Sequence, residues 1–338
     1  MKQTLSQSSL RIAETNLKHH YTFERPPAGF EPHHVSDEIL LQYGLPHRPD
    51  PKKFPKAARL WLRSMSRVKK FVTPKLTIQP QIIHGKNKIV NEGNGTSSNW
   101  SGLTCSNQAP YTAIWGNWIV PSVRKPDGGH GDYYSSFWVG LNDPQSLFQA
   151  GTEQRTTDDS YYAWFEWFPG PEIKLDKADD GDDFSIAPGQ SITVFLASAA
   201  DGTGRGTVAM FNDSTGLAIT TLIIPIPTLD FNNNPIVPAI AALPSSDAVW
   251  ILERPSLVDN GVPTPAALAD FAEAVMVTGG AAGTNPGGTG KNATDSFIIG
   301  NDDQGTLWTM LANDGVTKLS VPGELPELVF RFTGGANA

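Results

Sequence analysis

A chain of 338 residues can hold one large domain with an extension, or two ordinary domains. Its 32 glycines and 27 prolines follow no period, which excludes collagen and favours a loop-rich β fold; no run of about 18 apolar residues exists, so no membrane-spanning helix is expected. The net charge of −8 hides a split: residues 1–90 carry 16 Lys/Arg against 6 Asp/Glu, and residues 91–338 carry 10 against 28, so a basic arm is joined to an acidic domain.

The first residues, "MKQTLSQSSLRIAETN", lack the apolar stretch of a secretory signal peptide. "DEILLQYGL" and "AARLWLRSMSRVKKFV" place apolar residues at helical spacing, and "PHRPDPKKFP" between them reads as a proline-rich linker. Six of the seven histidines fall in this arm. Its basic charge comes without a nucleic-acid-binding motif, so no nucleic-acid partner is expected; the simpler reading is that the arm lies on the acidic domain. From "GNGTSSNWSG" onward, short alternating runs ("AIWGNWIVPSV", "SSFWVGLND", "QSITVFLASA", "LVFRFTG") are separated by turn residues, the pattern of an antiparallel sandwich or barrel. "PAALADFAEAV", near residues 264–275, reads either as a helix or as a loop entering a strand.

Conventional catalytic signatures are absent. Cys105 is the single cysteine, which excludes an intramolecular disulfide and a cysteine metal cluster; its alternating context suits a small buried apolar residue. No glycine-rich phosphate loop and no paired-histidine metal motif occur, so neither cofactor nor metal is expected. A Ser-His-Asp triad would have to use His130, in the loop-like "GGHGD", or a histidine of the arm. What remains is carboxylates, amides and aromatics, concentrated in "YYAWFEWF" (161–168). In a strand Tyr162, Trp164, Glu166 and Phe168 share one face. Glu166 is then either an acid at the rim of a sandwich strand or a carboxylate in the floor of an aromatic groove, and this stretch alone leaves both open.

The ordered set "NWSG" (99–102), "WVGLND" (138–143), "LFQAG" (147–151), "YYAWFEWFP" (161–169) and "AVWILE" (248–253) resembles the eqolisins, the glutamic peptidases, over roughly residues 95–335. The resemblance implies an all-β fold: an antiparallel β-sandwich of two packed, curved sheets, concanavalin-like, over 91–338. The irregular, partly helical extension 1–90 would be a propeptide that inhibits the same chain. It also implies an acid-acting endopeptidase, monomeric and secreted, with protein or peptide substrates and a Gln/Glu pair. By motif the pair is Gln149 and Glu253, with Trp138, Trp164, Glu166 and Asp143 lining the site. Glu253 would activate water and return its proton to the leaving amine, while Gln149 stabilises the oxyanion. Asn142 stands where the family often has aspartate, although Asp143 adjoins it. An apolar, proline-rich insertion near 222–244 is extra, and the sequons at Asn94, Asn99, Asn212 and Asn292 bear only on a eukaryotic secretory route.

Two further expectations can be weighed against the structure. One is a carbohydrate-active or glycan- or protein-binding sandwich, with Glu166 and Glu253 flanking a ligand in an aromatic groove. The other is a pH switch: acid would neutralise the domain's carboxylates and charge the arm's histidines, so that the arm is repelled and removed.

Overall fold

The computed structural model describes residues 10–334 apart from 19, 86–94, 107–109, 145, 199–204, 224–245, 284–292, 295–304 and 324–326. The insertion expected near 222–244 lies, beyond Ile223, outside the described residues. The architecture is an all-β sandwich. One sheet runs, in order of pairing, Gly305–Leu311, Trp100–Ser106, Asp247–Glu253, Tyr133–Asn142, Leu147–Arg155, Tyr161–Phe168, Glu172–Asp176 and Lys75–Gln79. The other runs Leu328–Phe332, Glu273–Gly283, Tyr111–Ile119, Ser191–Ser198, Gly206–Asn212, Leu217–Ile223 and His20–Phe23. All these neighbours are antiparallel, so each strand can keep one face in the core and free the other.

The alternating residues sort accordingly. Phe137, Val139, Phe148, Ala150, Ala163, Phe165, Trp250 and Leu252 point between the sheets, into the main core. Trp138, Tyr162, Trp164, Val249 and Ile251 form a separate cluster on the opposite face of the first sheet, with Trp100 and Trp308. Glu166 belongs to this second face, across the ladder from Gln149. The segment near 264–275 resolves as a loop and strands: Ala267–Leu268 pairs in parallel with Tyr133–Tyr134, and Glu273 opens the long strand that ends at Gly283. Pro265 and the interval of β-sheet partners outweigh its alanine-rich helical spacing.

The arm does more than lie on the domain. Helices Asp37–Gln42 and Pro55–Arg67 form as their spacing predicts. Leu40, Leu60, Trp61 and Met65 of these helices are buried against Trp115, Phe195, Ala209 and Phe211 of the second sheet. The arm also adds four strands to the domain: His20–Phe23 and Lys70–Phe71 beside Leu217–Ile223, Lys75–Gln79 beside Glu172–Asp176, and Ile82–Ile83 beside Ser256–Asp259. Charge contributes at a few points. Arg25, Lys70 and the Thr73 N–H converge on Asp182, and Arg63 meets Asp213 at 3.2 Å. Their carboxylates are buried while the Arg and Lys partners stay partly exposed, so these pairs are few beside the burial of several large apolar side chains at about 1.5–3 kcal/mol each. The electrostatic picture of the arm is therefore incomplete: apolar packing and strand addition hold most of it.

Candidate active site

Four adjacent strands of the first sheet build the site. The register sets Gln149 opposite Gly140 and Glu166, Gly151 opposite Trp138 and Trp164, and Ser136 opposite Glu253. Gln149, Trp138, Trp164, Glu166 and Glu253 therefore project from one face of neighbouring strands. The glycine two residues after Gln149 has a steric reason. A Cβ on Gly151 would lie 2.5 Å from the Trp138 Cβ and 2.2 Å from the Phe137 carbonyl oxygen, so only glycine lets the ladder close beneath the indoles.

Every one of these polar groups is fully buried, because the end of the arm covers them. The strand Ile82–Ile83 delivers His84 and Gly85 onto the face. Gln149 Nε2 donates to the His84 carbonyl oxygen at 2.8 Å, and the Gly85 N–H donates to Glu253 Oε1 at 3.2 Å. Asn99 Nδ2 donates both to the Gly85 carbonyl oxygen (2.7 Å) and to Glu253 Oε1 (2.8 Å). Trp138 Nε1 donates to Glu253 Oε2 at 2.8 Å, and Glu166 Oε2 accepts the His84 N–H at 2.9 Å. The His84 ring stacks on Trp164, with centroids 3.8 Å apart and planes 4° apart. Its Nε2 lies 2.6 Å from Glu172 Oε2 and 3.9 Å from Glu153 Oε2; its Nδ1 lies 3.2 Å from Glu253 Oε2. Tyr162 donates its hydroxyl hydrogen to Glu172 Oε1 at 3.0 Å, and Arg155 bonds the Tyr162 hydroxyl in turn.

Electrostatics follow from burial and pairing. Burial alone would depress the His84 imidazole, but hydrogen bonds from it to Glu172 and Glu253, and their charges, hold it well above its usual 6.5. Both ring nitrogens face carboxylates, which is the arrangement of an imidazolium donating twice. Burial pushes Glu253 up, opposed by the His84 bond and charge and by the Gly85 N–H and Trp138 donors. Burial pushes Glu166 well up and Glu153 up to about 8. His84, Glu153 and Glu172 could each offer one ligand atom to a divalent ion. The 2.6 Å separation of His84 Nε2 and Glu172 Oε2 is that of a hydrogen bond; ligands about 2.0–2.1 Å from a tetrahedral zinc stand roughly 3.3 Å apart.

Of the residues singled out by motif, Gln149, Glu253, Trp138, Trp164 and Glu166 come together. Asp143 stands in the turn after Tyr133–Asn142, where its carboxylate accepts the Ser146 N–H at 2.9 Å, and Asn142 donates to Asp247 at 3.0 Å. Sequence reasoning missed His84, Asn99, Glu153, Tyr162 and Glu172 as members of the site. Asn99 stood in the "NWSG" motif and its sequon is fully buried, as is Asn212, while Asn94 and Asn292 lie outside the described residues. His84 carries no local signal beyond following an apolar pair in "QIIHG".

Comparison with known proteins bears on the family and the fold. The family profile described as the Peptidase A4 family matches residues 98–321. The chain belongs to that family, the eqolisins. This glutamic endopeptidase is 28% identical over 266 residues to aspergillopepsin-2 of Aspergillus niger, which covers 70% of the chain and 84% of the relative. Its fold is similar to scytalido-glutamic peptidase bound to a transition-state analogue inhibitor: TM-score 0.52, 16% identity, 70% of this chain and 98% of that one. It is also similar to the eqolisin SCP-B in complex with the tripeptide Ala-Ile-His: TM-score 0.50, 15% identity and the same coverage. The family profile begins beyond the arm, at residue 98, so the elements that bring His84 to the site lie outside the matched region.

Proposed function

We propose that this eqolisin cleaves proteins in acid through Glu253 and Gln149, and that residues 1 to about 90 are a propeptide that holds it latent. The observation that carries this reading is that the two side chains reach the two ends of one peptide group: Gln149 the carbonyl oxygen of His84, Glu253 the N–H of Gly85. Peptide hydrolysis needs those contacts. A neutral amide can donate to an oxygen as it gains negative charge, and a carboxylate can take a proton from water and return it to the nitrogen. Trp138 and Asn99 orient the Glu253 carboxylate. Glu166 accepts the His84 N–H through Oε2, and burial pushes its carboxyl toward the protonated form.

Latency follows from occupancy. Trp138, the His84 ring, Gly85 and Asn99 all hydrogen-bond the two oxygens of Glu253, leaving no lone pair free for an attacking water. A sugar-hydrolysing role for Glu166 and Glu253 has no comparable support, because what lies between them is held by its carbonyl and amide groups. The test is cleavage of an unfolded protein by wild type and Glu253→Gln, both freed of the arm, across about pH 2–7. Loss of about 10²–10⁴-fold in the variant is expected. Wild-type turnover in Glu253→Gln would overturn the assignment, and cleavage of a polysaccharide in place of protein would restore the sugar reading.

A further inference from the structure

The arm is built to be cut as well as to block. We propose that His84–Gly85 is the bond this enzyme cleaves in its own chain, and that the chamber around the His84 side chain is the subsite that selects a cationic side chain on the carbonyl side of the cleaved bond. This rests on the peptidase assignment above and adds to it the substrate class and the bond.

The backbone evidence is positional. The His84 carbonyl oxygen lies 2.8 Å from Gln149 Nε2, the Gly85 nitrogen lies 3.2 Å from Glu253 Oε1, and the next carbonyl, that of Gly85, is held by Asn99 at 2.7 Å. The His84 N–H is fixed on the other side by Glu166 at 2.9 Å. A strand delivered by pairing with Ser256–Asp259 is thus gripped at successive backbone groups, with one peptide bond centred on the pair. The side-chain evidence is chemical. The chamber offers the indole face of Trp164 and three carboxylates around the ring: Glu172 at 2.6 Å, Glu253 at 3.2 Å and Glu153 at 3.9 Å. Glu166, Tyr162 and Arg155 complete its polar wall. An aromatic face flanked by carboxylates favours a flat or extended cation and disfavours an acidic or aliphatic group, which would leave buried carboxyls without a partner.

Cleavage balances with water alone. The water oxygen adds to the His84 carbonyl carbon while Glu253 takes a water proton, and Gln149 donates to the oxyanion. Collapse breaks the carbon–nitrogen bond as Glu253 delivers the proton to the Gly85 nitrogen. One product ends in the His84 carboxylate and the other begins with the Gly85 amine. The step waits because the imidazole sits on Glu253 Oε2, where the water must bind. Latency and cleavage are two occupancies of one carboxylate oxygen.

The experiment uses the full chain, prepared near neutral pH and moved to about pH 3.5. Fragments are read by intact mass and N-terminal sequencing, with an unfolded protein as reference substrate in the same tube. The expected first new N-terminus is Gly85. A peptide series X-Gly, with X as His, Lys, Arg, Leu or Asp, should show kcat/KM at least about tenfold higher for the cations than for Leu, and Glu172→Gln should flatten that ratio. A first cut at any other bond, an uncut chain beside a digested reference, or Leu cleaved as well as Lys would overturn this inference and leave the peptidase assignment standing. Arm-free enzyme in a parallel tube separates the two failures: if it too leaves the reference uncut at every pH from about 2 to 7, the peptidase assignment falls and this inference with it, whereas a full chain left uncut while arm-free enzyme digests the reference overturns this inference alone. Sequencing the wild-type fragments needs no variant, so a Glu172→Gln protein that fails to fold does not spare the proposal.

Discussion

Trp138→Phe separates positioning from packing at this site. The phenyl ring keeps most of the contact with Trp100, whose ring centroid lies 5.2 Å away in a T-shaped arrangement. What disappears is one donor, the indole Nε1–H that reaches Glu253 Oε2 at 2.8 Å. Hydrogen bonds to a charged group contribute about 1.5–3 kcal/mol, and each 1.4 kcal/mol is a factor of ten, so the ionised form of Glu253 should lose roughly 10- to 150-fold in population where it is limiting. The direction is fixed: Trp138 lowers the Glu253 carboxyl against the upward push of burial, so its removal lets that carboxyl rise. The assay is kcat/KM against pH for the arm-free enzyme. The acid limb should move to higher pH, with the activity recovering on the less acidic side. A loss equal at every pH would mean that the indole only packs, and an unmoved limb would refute Glu253 as the base that Trp138 tunes.

Four other outcomes are expected. Gly151→Ala should reduce activity by at least about tenfold and lower the melting temperature as well, because its Cβ would overlap the Phe137 carbonyl and the Trp138 Cβ and force the two strands apart at Trp138. Trp61→Ala in the arm helix should weaken arm docking by about 3–5 kcal/mol at all pH values alike, read as proteolytic sensitivity of the arm in the uncut chain. Asp182→Asn should loosen residues 70–73 at pH values where wild type still holds them, read by hydrogen exchange of residues 70–83, with the packed helices Asp37–Gln42 and Pro55–Arg67 still protected. His84→Gln should weaken docking near pH 6 and match wild type at alkaline pH, where wild-type His84 has itself lost its proton; equal protection at both pH values would refute a charged His84.

Most of the sandwich was legible because its strands alternate cleanly. "YYAWFEWF" puts Phe165 and Ala163 in the core and Trp164 and Glu166 on the opposite face, as period-two alternation demands. The two readings of Glu166 could not be separated from the strand alone. Whether that face meets water depends on residue 84 of a distant segment, and cross-strand register between Gln149 and Glu166 is a tertiary fact. Asp143 illustrates the reverse. Its place in the "WVGLND" motif suggested the site, yet a residue one step past a strand end is free to cap a turn, and it bonds Ser146. His84 was hidden because the arm was weighed by its summed charge. A sum cannot show that one imidazole is carried by a two-residue strand into four glutamates while other arm histidines, such as His34 and His47, stay exposed.

That imidazole also reverses part of the expected pH switch. Its docked pKa is raised above 6.5, so its contribution to docking is complete below about 6.5 and fades only as pH rises through the raised value. Protonating His84 therefore tightens arm docking, and repulsion among charged arm histidines does not describe this one. Acid release needs a group with the opposite sign, and Asp182 has it. Burial pushes its carboxyl up, but the bonds from Lys70 and the Thr73 N–H, with the Arg25 charge, outweigh this and hold it below 3.8. Its contribution is present above about 3.8 and is lost as pH falls through the lower docked value. All three partners belong to the arm, so neutralising this one carboxylate unfastens Arg25, Lys70 and Thr73 together. The arm is then expected to loosen first about its Asp182 anchor, which lies outside the candidate site. An arm that opened at the His84 end first, with residues 70–73 still protected from exchange at pH 3–4, would contradict this order.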